Sequence, residues 1–219
     1  MLQPFLPPSI KVLECHIGDD RQIRLIEAEQ VLSSDEIARA NRFRFDRDRE
    51  HFIRARAFLR NSLAIETGHG AAQLSFTYGP LGKPELVSSG VEFNLSHSQD
   101  TAVIAVSSSG PVGIDVERID RSVAVSDVAK VCMTPREQNV LQDLLPNKRC
   151  ERFFDFWTAK EARMKLTGEG MSLSPTSISL QLTDGRPTGY DTPQLLGAQL
   201  AYIPLSDVRA RCCVCYTCN

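Results

Sequence analysis

TAVIAVSSSGPVGIDVE, residues 101–117, lies at the centre of the predicted fold. Thr101–Val106 is apolar on both faces, which predicts a central, buried strand. The small residues, glycine and proline of 107–111 indicate a turn, and Val112–Glu117 has the pattern of a further strand. Together with Val91–Leu95 just upstream, these segments predict a β region in the middle of the chain.

Helices are predicted before this β region. Ser33 and Glu36, three residues apart, form a capping box that marks a helix start. A second helix is expected from residue 46 to about residue 67, because apolar residues recur on one face and Gly68 supplies a left-handed stop. GPLGKP at 79–84 is predicted to be a loop.

The same order of elements follows the β region. TPRE at 134–137 is a second capping box with proline at the first helical position, and its helix is expected to end near Leu145. Asn147 is the predicted cap of a long helix that ends at 167–168. Two strands are expected after Met171. This element order predicts an α/β (α+β) fold of two similar lobes, an N-terminal lobe over 1–112 and a C-terminal lobe over 113–219.

The composition is that of a soluble globular protein. The chain has 219 residues, 42% of them hydrophobic and 24% charged, with a formal net charge of −2. No overall attraction to nucleic acid or to an anionic membrane is therefore expected. Apolar runs fall short of the roughly 20 residues of a membrane-spanning helix, and the N-terminus lacks the pattern of a secretory signal.

The cysteines predict a reducing compartment. Their number, seven, is odd, which argues against a complete disulfide framework and favours the cytoplasm. Four of them crowd the C-terminus without the paired spacing of a zinc site: Cys212, Cys213, Cys215 and Cys218. We interpret them as small apolar side chains on a last strand over 208–217.

Asp115 and Glu117 are the first candidates for chemistry. Residues two apart on a strand point to the same face, so both carboxylates project together while Ile114 and Val116 face the core. Two close carboxylates repel each other unless a cation lies between them, and Mg²⁺ is a natural occupant. The alternative is a pair of solvated acids on a half-exposed strand.

Trp157, Glu161 and Lys165 form the second candidate group. They are four residues apart on the predicted long helix and therefore share one stripe. An indole, a carboxylate and an ammonium group on one stripe have the chemistry of a wall, a metal ligand or base, and a phosphate contact. The alternative is an aromatic half-core position followed by a surface salt bridge between Glu161 and Lys165.

FNLSHS at 93–98 ends a predicted strand with polar groups and a histidine. His97 and Ser96 are candidates for hydrogen bonds to an anionic phosphate. A serine–histidine nucleophile is disfavoured, because adjacent residues on a strand point to opposite faces. Alternatively, Asn94, Ser96 and Ser98 end the strand through local hydrogen bonds.

These motifs in this order resemble the 4′-phosphopantetheinyl transferases of the long, monomeric type, named after the enzyme that activates surfactin synthetase (Sfp type). The resemblance rests on GKP at 82–84, FNLSHS at 93–98, VGIDVE at 112–117 and FWTAKEARMKLTGEG at 156–170. It implies two similar lobes related by a pseudo-two-fold axis, with coenzyme A in the cleft between them. It also implies the reaction, in which a carrier-protein serine attacks the β-phosphate of coenzyme A and adenosine 3′,5′-bisphosphate leaves.

The resemblance also implies roles for individual residues. Asp115, Glu117 and Glu161 match the Mg²⁺ ligands, and Glu161 also matches the base for the incoming hydroxyl. Lys165 matches a pyrophosphate contact. The remaining coenzyme A contacts implied are His97 and Ser96 near the phosphates, Lys83 in the loop beside the adenine and 3′-phosphate, and Arg39 at the 3′-phosphate.

His51 departs from the family pattern. It stands where the family often has an arginine for the 3′-phosphate, and Arg49 or Arg54 are the alternatives for that contact. If His51 makes the contact, coenzyme A affinity should depend on pH near neutrality.

The expected partners are apo carrier proteins, and the expected state is a monomer. The stretch 119–131, which contains Val123, Ala124, Val125 and Val128, is the family's usual docking region, although a buried helix face fits it equally well. Two other functions remain open at this point: a non-catalytic module that binds coenzyme A or carrier proteins, and a Mg²⁺-dependent phosphohydrolase acting on coenzyme A.

Overall fold

The computed structural model describes residues 6–87, 89–191 and 197–217. Within these ranges the chain forms six α-helices: α1 Leu25–Val31, α2 Ser34–Ala40, α3 Asp46–Thr67, α4 Val125–Cys132, α5 Pro135–Gln142 and α6 Pro146–Thr167. The strands are β1 Ile10–His16, β2 Phe76–Tyr78, β3 Pro84–Leu86, β4 Glu92–Ser98, β5 Thr101–Ser107, β6 Val112–Arg118, β7 Leu180–Thr183, β8 Arg186–Tyr190, β9 Ala198–Tyr202 and β10 Ala210–Thr217. None of the helices in the described part of the chain has both the length and the apolar character needed to cross a membrane.

The first half of the chain forms a three-stranded antiparallel sheet in the order β1-β5-β4. Its central strand β5 is buried on both faces, as its apolar sequence predicts. One face, with Ala102 and Ile104, packs against Leu59 and Leu63 of α3. The 22-residue helix α3 ends at Gly68, whose φ of 71° is left-handed, so both predicted ends are confirmed.

The second half forms a matching antiparallel sheet in the order β6-β10-β9. Helix α6 covers it, with Phe156 and Ala162 packed near Cys213 and Cys215 of the central strand. The prediction of core-facing thiols on a last strand is confirmed for Cys212, Cys213 and Cys215, which are buried and free. Cys218 lies outside the described residues.

The inner faces of the two sheets share a third core. Val103 and Ala105 of β5 pack there with Ile114 and Val116 of β6 and with Val214. The mixed α+β fold is therefore confirmed. Each half has a short capped helix, a 22-residue helix ended by a left-handed glycine, and a three-stranded sheet. The pseudo-two-fold relation and the boundary between 112 and 113 stay predictions.

Each short capped helix also anchors its long helix through a buried ion pair. Glu36 in α2 accepts hydrogen bonds from the backbone N–H of Ser33 and, at 2.6 Å, from Arg60 of α3. Glu137 in α5 accepts from the N–H of Thr134 and lies 2.7 Å from Lys160 of α6. Both predicted capping boxes are thus confirmed, and their glutamates have a second, tertiary role.

Several predicted boundaries are wrong. Strand β4 was expected to end at Leu95, but it continues to Ser98. The polar side chains at its end form hydrogen bonds with β6 and do not end the strand through local hydrogen bonds. Helix α5 ends at Gln142, and α6 begins at Pro146 with Leu145 as its N-cap, so Asn147 lies inside the helix. The structure also has four strands after Met171 where two were predicted, because two of them form the separate hairpin β7-β8.

Candidate active site

Strand β6 presents Asp115 and Glu117 on the face that is turned towards α6. Ile114 and Val116 point into the core between the sheets, so the predicted alternation is confirmed. Gly113 precedes the acids at the point where β6 meets α6. A Cβ on Gly113 would lie 2.1 Å from the carbonyl oxygen of Ala162, so only glycine permits this close approach.

Helix α6 directs its stripe of Trp157, Glu161 and Lys165 towards these acids. Lys165 Nζ lies 2.6 Å from Asp115 Oδ1. The ammonium group therefore pairs with Asp115 of β6, whereas the alternative interpretation placed it in a helical salt bridge with Glu161. Trp157 stacks on Phe153, with ring centroids 6.5 Å apart and planes 4° apart.

The carboxylates of Asp115, Glu117 and Glu161 influence one another electrostatically. Burial raises the pKa of Glu117, and the charge on Asp115 raises it further, against hydrogen bonds from Ser98 and Trp157 and the charge on Lys165. Burial also raises the pKa of Glu161, with Asp115 and Glu117 as further causes. Negative charge is thus concentrated where β6 and α6 meet, and a bound cation would relieve the repulsion.

Asp115 supplies the clearest sign that a cation fits this site. The residue is 3% exposed, and its Oδ2 is buried with no hydrogen-bond partner among the described residues. An unpartnered buried carboxylate oxygen is unfavourable, and oxygen ligands of this kind suit Mg²⁺. These residues therefore fit a Mg²⁺ ion. Within the described ranges, no three acidic, histidine or cysteine side chains already have the arrangement of a metal site.

Ser96 and Ser98 orient the two carboxylates of β6. Each serine oxygen accepts a backbone N–H of β6, from Val116 at 3.3 Å and from Arg118 at 3.1 Å. A hydroxyl has a single proton, so accepting the N–H leaves that proton for a neighbouring acceptor. Ser96 Oγ donates to Asp115 Oδ1 at 3.0 Å and Ser98 Oγ donates to Glu117 Oε2 at 2.9 Å.

Asn94 completes this junction between β4 and β6. Its Oδ1 accepts the N–H of Ile114 at 2.9 Å, so residues 94, 96 and 98 together bond three successive outward N–H groups of β6. The alternative interpretation of these side chains as local strand terminators is wrong. Their polar alternation along a strand was the signal for this role, and Ser98 and Asn94 were missed as site residues.

His97 and His51 lie near each other on the opposite face of β4. Desolvation lowers the pKa of His97, and the charges of Lys165 and His51 lower it further. His51 Nε2 lies 3.3 Å from Asp100, and desolvation is the main cause of its lowered pKa. Ser96 points to β6, so the predicted separation of Ser96 and His97 onto opposite faces is confirmed.

Arg39 lies apart from the carboxylates. It stacks on Phe52, with its guanidinium carbon 5.3 Å from the ring centroid, and lines a surface cavity of about 630 Å³ with Arg42 and Tyr78. The two alternatives to His51 are already engaged in ion pairs: Arg54 with Asp20 and Glu50, and Arg49 with Glu29.

Lys83 is also engaged by the protein. Its Nζ donates to the carbonyl oxygen of Leu166 at 2.8 Å, at the end of α6. The family resemblance implies instead that Lys83 lies in a loop beside the adenine and 3′-phosphate of coenzyme A. That contact, like the other site assignments, stays a prediction.

Comparisons with known proteins bear on both halves of the chain. The 4′-phosphopantetheinyl transferase superfamily profile matches residues 111–214, and the profile of the 4′-phosphopantetheinyl transferase N-terminal region matches residues 21–109. The 4′-phosphopantetheinyl transferase HetI of a Nostoc species is 37% identical over 196 residues, which are 85% of this chain and 82% of that protein. This chain belongs to the 4′-phosphopantetheinyl transferase superfamily.

Other transferases are similar over comparable lengths. The psf-1 transferase of Bacillus pumilus is 32% identical over 175 residues, 78% of this chain and 73% of its own length. A Bacillus subtilis 4′-phosphopantetheinyl transferase is 29% identical over 178 residues, 80% of this chain and 78% of its own length. The resemblance to Sfp-type enzymes is therefore supported by Bacillus relatives, and the chain is a 4′-phosphopantetheinyl transferase.

The region expected to dock carrier proteins has a mixed character in this transferase. Val125 is 8% exposed and packs into the C-terminal core, with Val123 partly buried beside it. Val128 and Val131 of the same helix are 38% and 72% exposed. Part of this stretch is thus the buried helix face, and part is free for a partner.

Proposed function

We propose that this transferase moves the 4′-phosphopantetheine group of coenzyme A to a serine of an apo carrier protein with the help of Mg²⁺. The observation that carries the proposal is the arrangement around Asp115. One of its oxygens is paired with Lys165, and the other is buried with no hydrogen-bond partner in the part of the chain that the structure describes. Phosphoryl transfer requires mainly positioning and charge neutralisation, and this group of residues offers both.

Asp115, Glu117 and Glu161 are the residues that would hold Mg²⁺. When bound, the ion supplies charge neutralisation on the pyrophosphate. The hydroxyls of Ser96 and Ser98 keep the carboxylates of Asp115 and Glu117 in fixed orientations before any ligand arrives.

Glu161 is proposed to take the proton of the carrier-protein serine. In the metal-free protein, burial and the neighbouring acids Asp115 and Glu117 raise the pKa of Glu161, so this carboxyl group favours proton uptake when it is not bound to the ion. The serine oxygen forms the new bond to the β-phosphorus, and the bond from that phosphorus to the bridging oxygen breaks. Adenosine 3′,5′-bisphosphate leaves with that oxygen, and Lys165 is proposed to offset the developing charge.

The substrate contacts follow the predictions from sequence. His97 is proposed to contact a phosphate, and Arg39 with His51 the 3′-phosphate. The lowered pKa of His51 means that the ring is mainly neutral at pH 7. We propose that the enzyme works in the cytoplasm as a monomer. Light scattering of the purified chain would test the monomeric state.

The decisive experiment measures the mass of an apo carrier protein after incubation with the chain and coenzyme A. We expect one phosphopantetheine adduct per carrier protein, formed with Mg²⁺ and suppressed by EDTA. Glu161→Gln should lower kcat by about 10²–10⁴-fold. Glu27→Gln, which changes an exposed carboxylate paired with Arg24, is the matched control and should leave kcat unchanged.

Two outcomes would contradict the proposal. Binding of coenzyme A without any adduct would favour a non-catalytic module. Release of adenosine 3′,5′-bisphosphate in the absence of a carrier protein would favour a phosphohydrolase.

A further inference from the structure

Lys83 contacts both elements that carry the acids of the active site. It lies between β2 and β3, in the first half of the chain. Its Nζ donates to the carbonyl oxygen of Leu166 in the last turn of α6 at 2.8 Å. The same ammonium group lies 3.5 Å from the carbonyl oxygen of Val112, the first residue of β6.

The end of α6 is shaped to receive this side chain. The last carbonyls of a helix have no partner within the helix, and a lysine is a suitable donor to them. Gly168 follows the helix with a φ of 75°, and a Cβ there would lie 3.2 Å from Lys83 Cδ. The glycine that ends α6 therefore also leaves space for the lysine stem.

The loop that carries Lys83 is held in shape by its own backbone. The N–H of Gly79 donates to the carbonyl oxygen of Lys83, and the N–H of Gly82 donates to that of Gly79, both at 2.9 Å. Gly82 has a φ of 85°, which favours glycine at that position. The ammonium group is thus presented from a closed turn.

The two residues that Lys83 contacts lie close in sequence to Lys165 and Asp115. Leu166 follows Lys165, and Val112 is three residues before Asp115. Lys165 and Asp115 are themselves 2.6 Å apart. A shift of the last turn of α6 relative to β6 would therefore separate that pair.

We propose that Lys83 is a positioning residue, which ties the end of α6 to the start of β6 and so holds Lys165 against Asp115. In this role its ammonium group is not a contact for the 3′-phosphate of coenzyme A. The inference rests on the proposed function, because it gives Lys165 a part in the transfer.

The test compares Lys83→Met with the wild type on two substrates, coenzyme A and 3′-dephospho-coenzyme A. We expect kcat to fall on the order of 10- to 100-fold with both substrates, because a small misplacement of a catalytic group has effects of that size. The ratio of kcat/KM for the two substrates should stay at the wild-type value. Arg39→Met is the matched comparison, and there the preference for coenzyme A should shrink.

Two results with Lys83→Met would overturn the proposal. A selective loss with coenzyme A would make Lys83 a phosphate contact. A lower melting temperature with unchanged kcat would make it a contributor to stability alone. If Lys83→Met does not fold, Lys83→Arg takes its place, since it keeps a donor but changes its geometry. The same two quantities decide: kcat relative to the wild type, and the ratio of kcat/KM for the two substrates.

A further measurement separates this proposal from the proposed function. Amide hydrogen exchange over the last turn of α6 should be faster in Lys83→Met than in the wild type. Unchanged exchange would refute the proposal that Lys83 holds the end of α6 to the start of β6. Absence of transfer by the wild type with either substrate would instead count against the proposed function.

Discussion

At the scale of single residues, Asp115 joins strand β4 and helix α6 in the candidate site. Its Oδ1 accepts from Ser96 at 3.0 Å and from Lys165 at 2.6 Å, while its Oδ2 is buried without a partner in the described ranges. Replacing Asp115 would therefore leave the ammonium group of Lys165 without its anion. Glu117 differs, because the surroundings disfavour its charge.

Glu117→Gln should stabilise the protein in EDTA near pH 7 while reducing transfer. The pKa of Glu117 is raised in the fold, chiefly by burial and then by Asp115, above its ordinary value of 4.5. The stability that this carboxyl contributes is fully present below that ordinary value and is lost as the pH rises through the folded-state pKa. Glutamine keeps an acceptor for Ser98 and avoids this loss.

Urea unfolding at pH 4 and at pH 7 measures this effect. The variant should exceed the wild type in unfolding free energy at pH 7, and the difference should vanish near pH 4. Transfer should fall by more than the roughly 10–100-fold typical of residues that support metal ligands. Equal unfolding free energies of the variant and the wild type at both pH values would show that the fold does not disfavour the charge on Glu117.

At the scale of elements, the site depends on how closely α6 lies on β6. The contact is made at Gly113, where a Cβ would meet the carbonyl oxygen of Ala162 at 2.1 Å and the amide nitrogen of Leu166 at 2.4 Å. Both atoms belong to the helix backbone and cannot turn away as a side chain can. The helix as a whole would have to move, and Glu161 and Lys165 would move with it.

Gly113→Ala should therefore destabilise the protein by about 3 kcal/mol or more, the upper range for overpacking. Gly90→Ala is the matched control, because a Cβ there has nothing within 4 Å, and its effect should stay within about 0.5 kcal/mol. Urea unfolding of both variants is the measurement. A near-native Gly113→Ala would mean that α6 and β6 are not in the close contact described.

At the scale of the whole molecule, the two sheets meet through side chains as well as through their shared core. Asn94, Ser96 and Ser98 of β4 accept N–H groups of β6, where a continuous sheet would have a backbone ladder. These side chains accept hydrogen bonds from N–H groups at the edge of β6, and the two serines also orient Asp115 and Glu117. Stability and the geometry of the site are thus linked at one place.

Asn94→Leu should lower the unfolding free energy by about 1–3 kcal/mol, because it leaves the buried N–H of Ile114 without an acceptor. The sole tryptophan, Trp157, reports on the second half by fluorescence, and circular dichroism reports on both halves. The two probes should shift together. Asn147→Leu, which removes an exposed hydrogen bond with Arg121, should change little, and separate midpoints in Asn94→Leu would show that the halves unfold independently.

The sequence by itself determined the local features of this protein. Capping boxes and terminal glycines set the starts of α2 and α5 and the ends of α3 and α6, because these signals act within one turn of a helix. Strand alternation placed Asp115 and Glu117 on one face. Four motifs, in order, identified the family.

Only the tertiary structure decided which groups are partners. Asn94 and Ser98 found acceptors and donors on another strand, Lys165 paired with Asp115, and Lys83 reached a carbonyl 83 positions away. Each of these side chains has several chemically suitable partners in the sequence. The choice among them depends on which elements the packed core brings within about 3 Å, and no local pattern contains that distance.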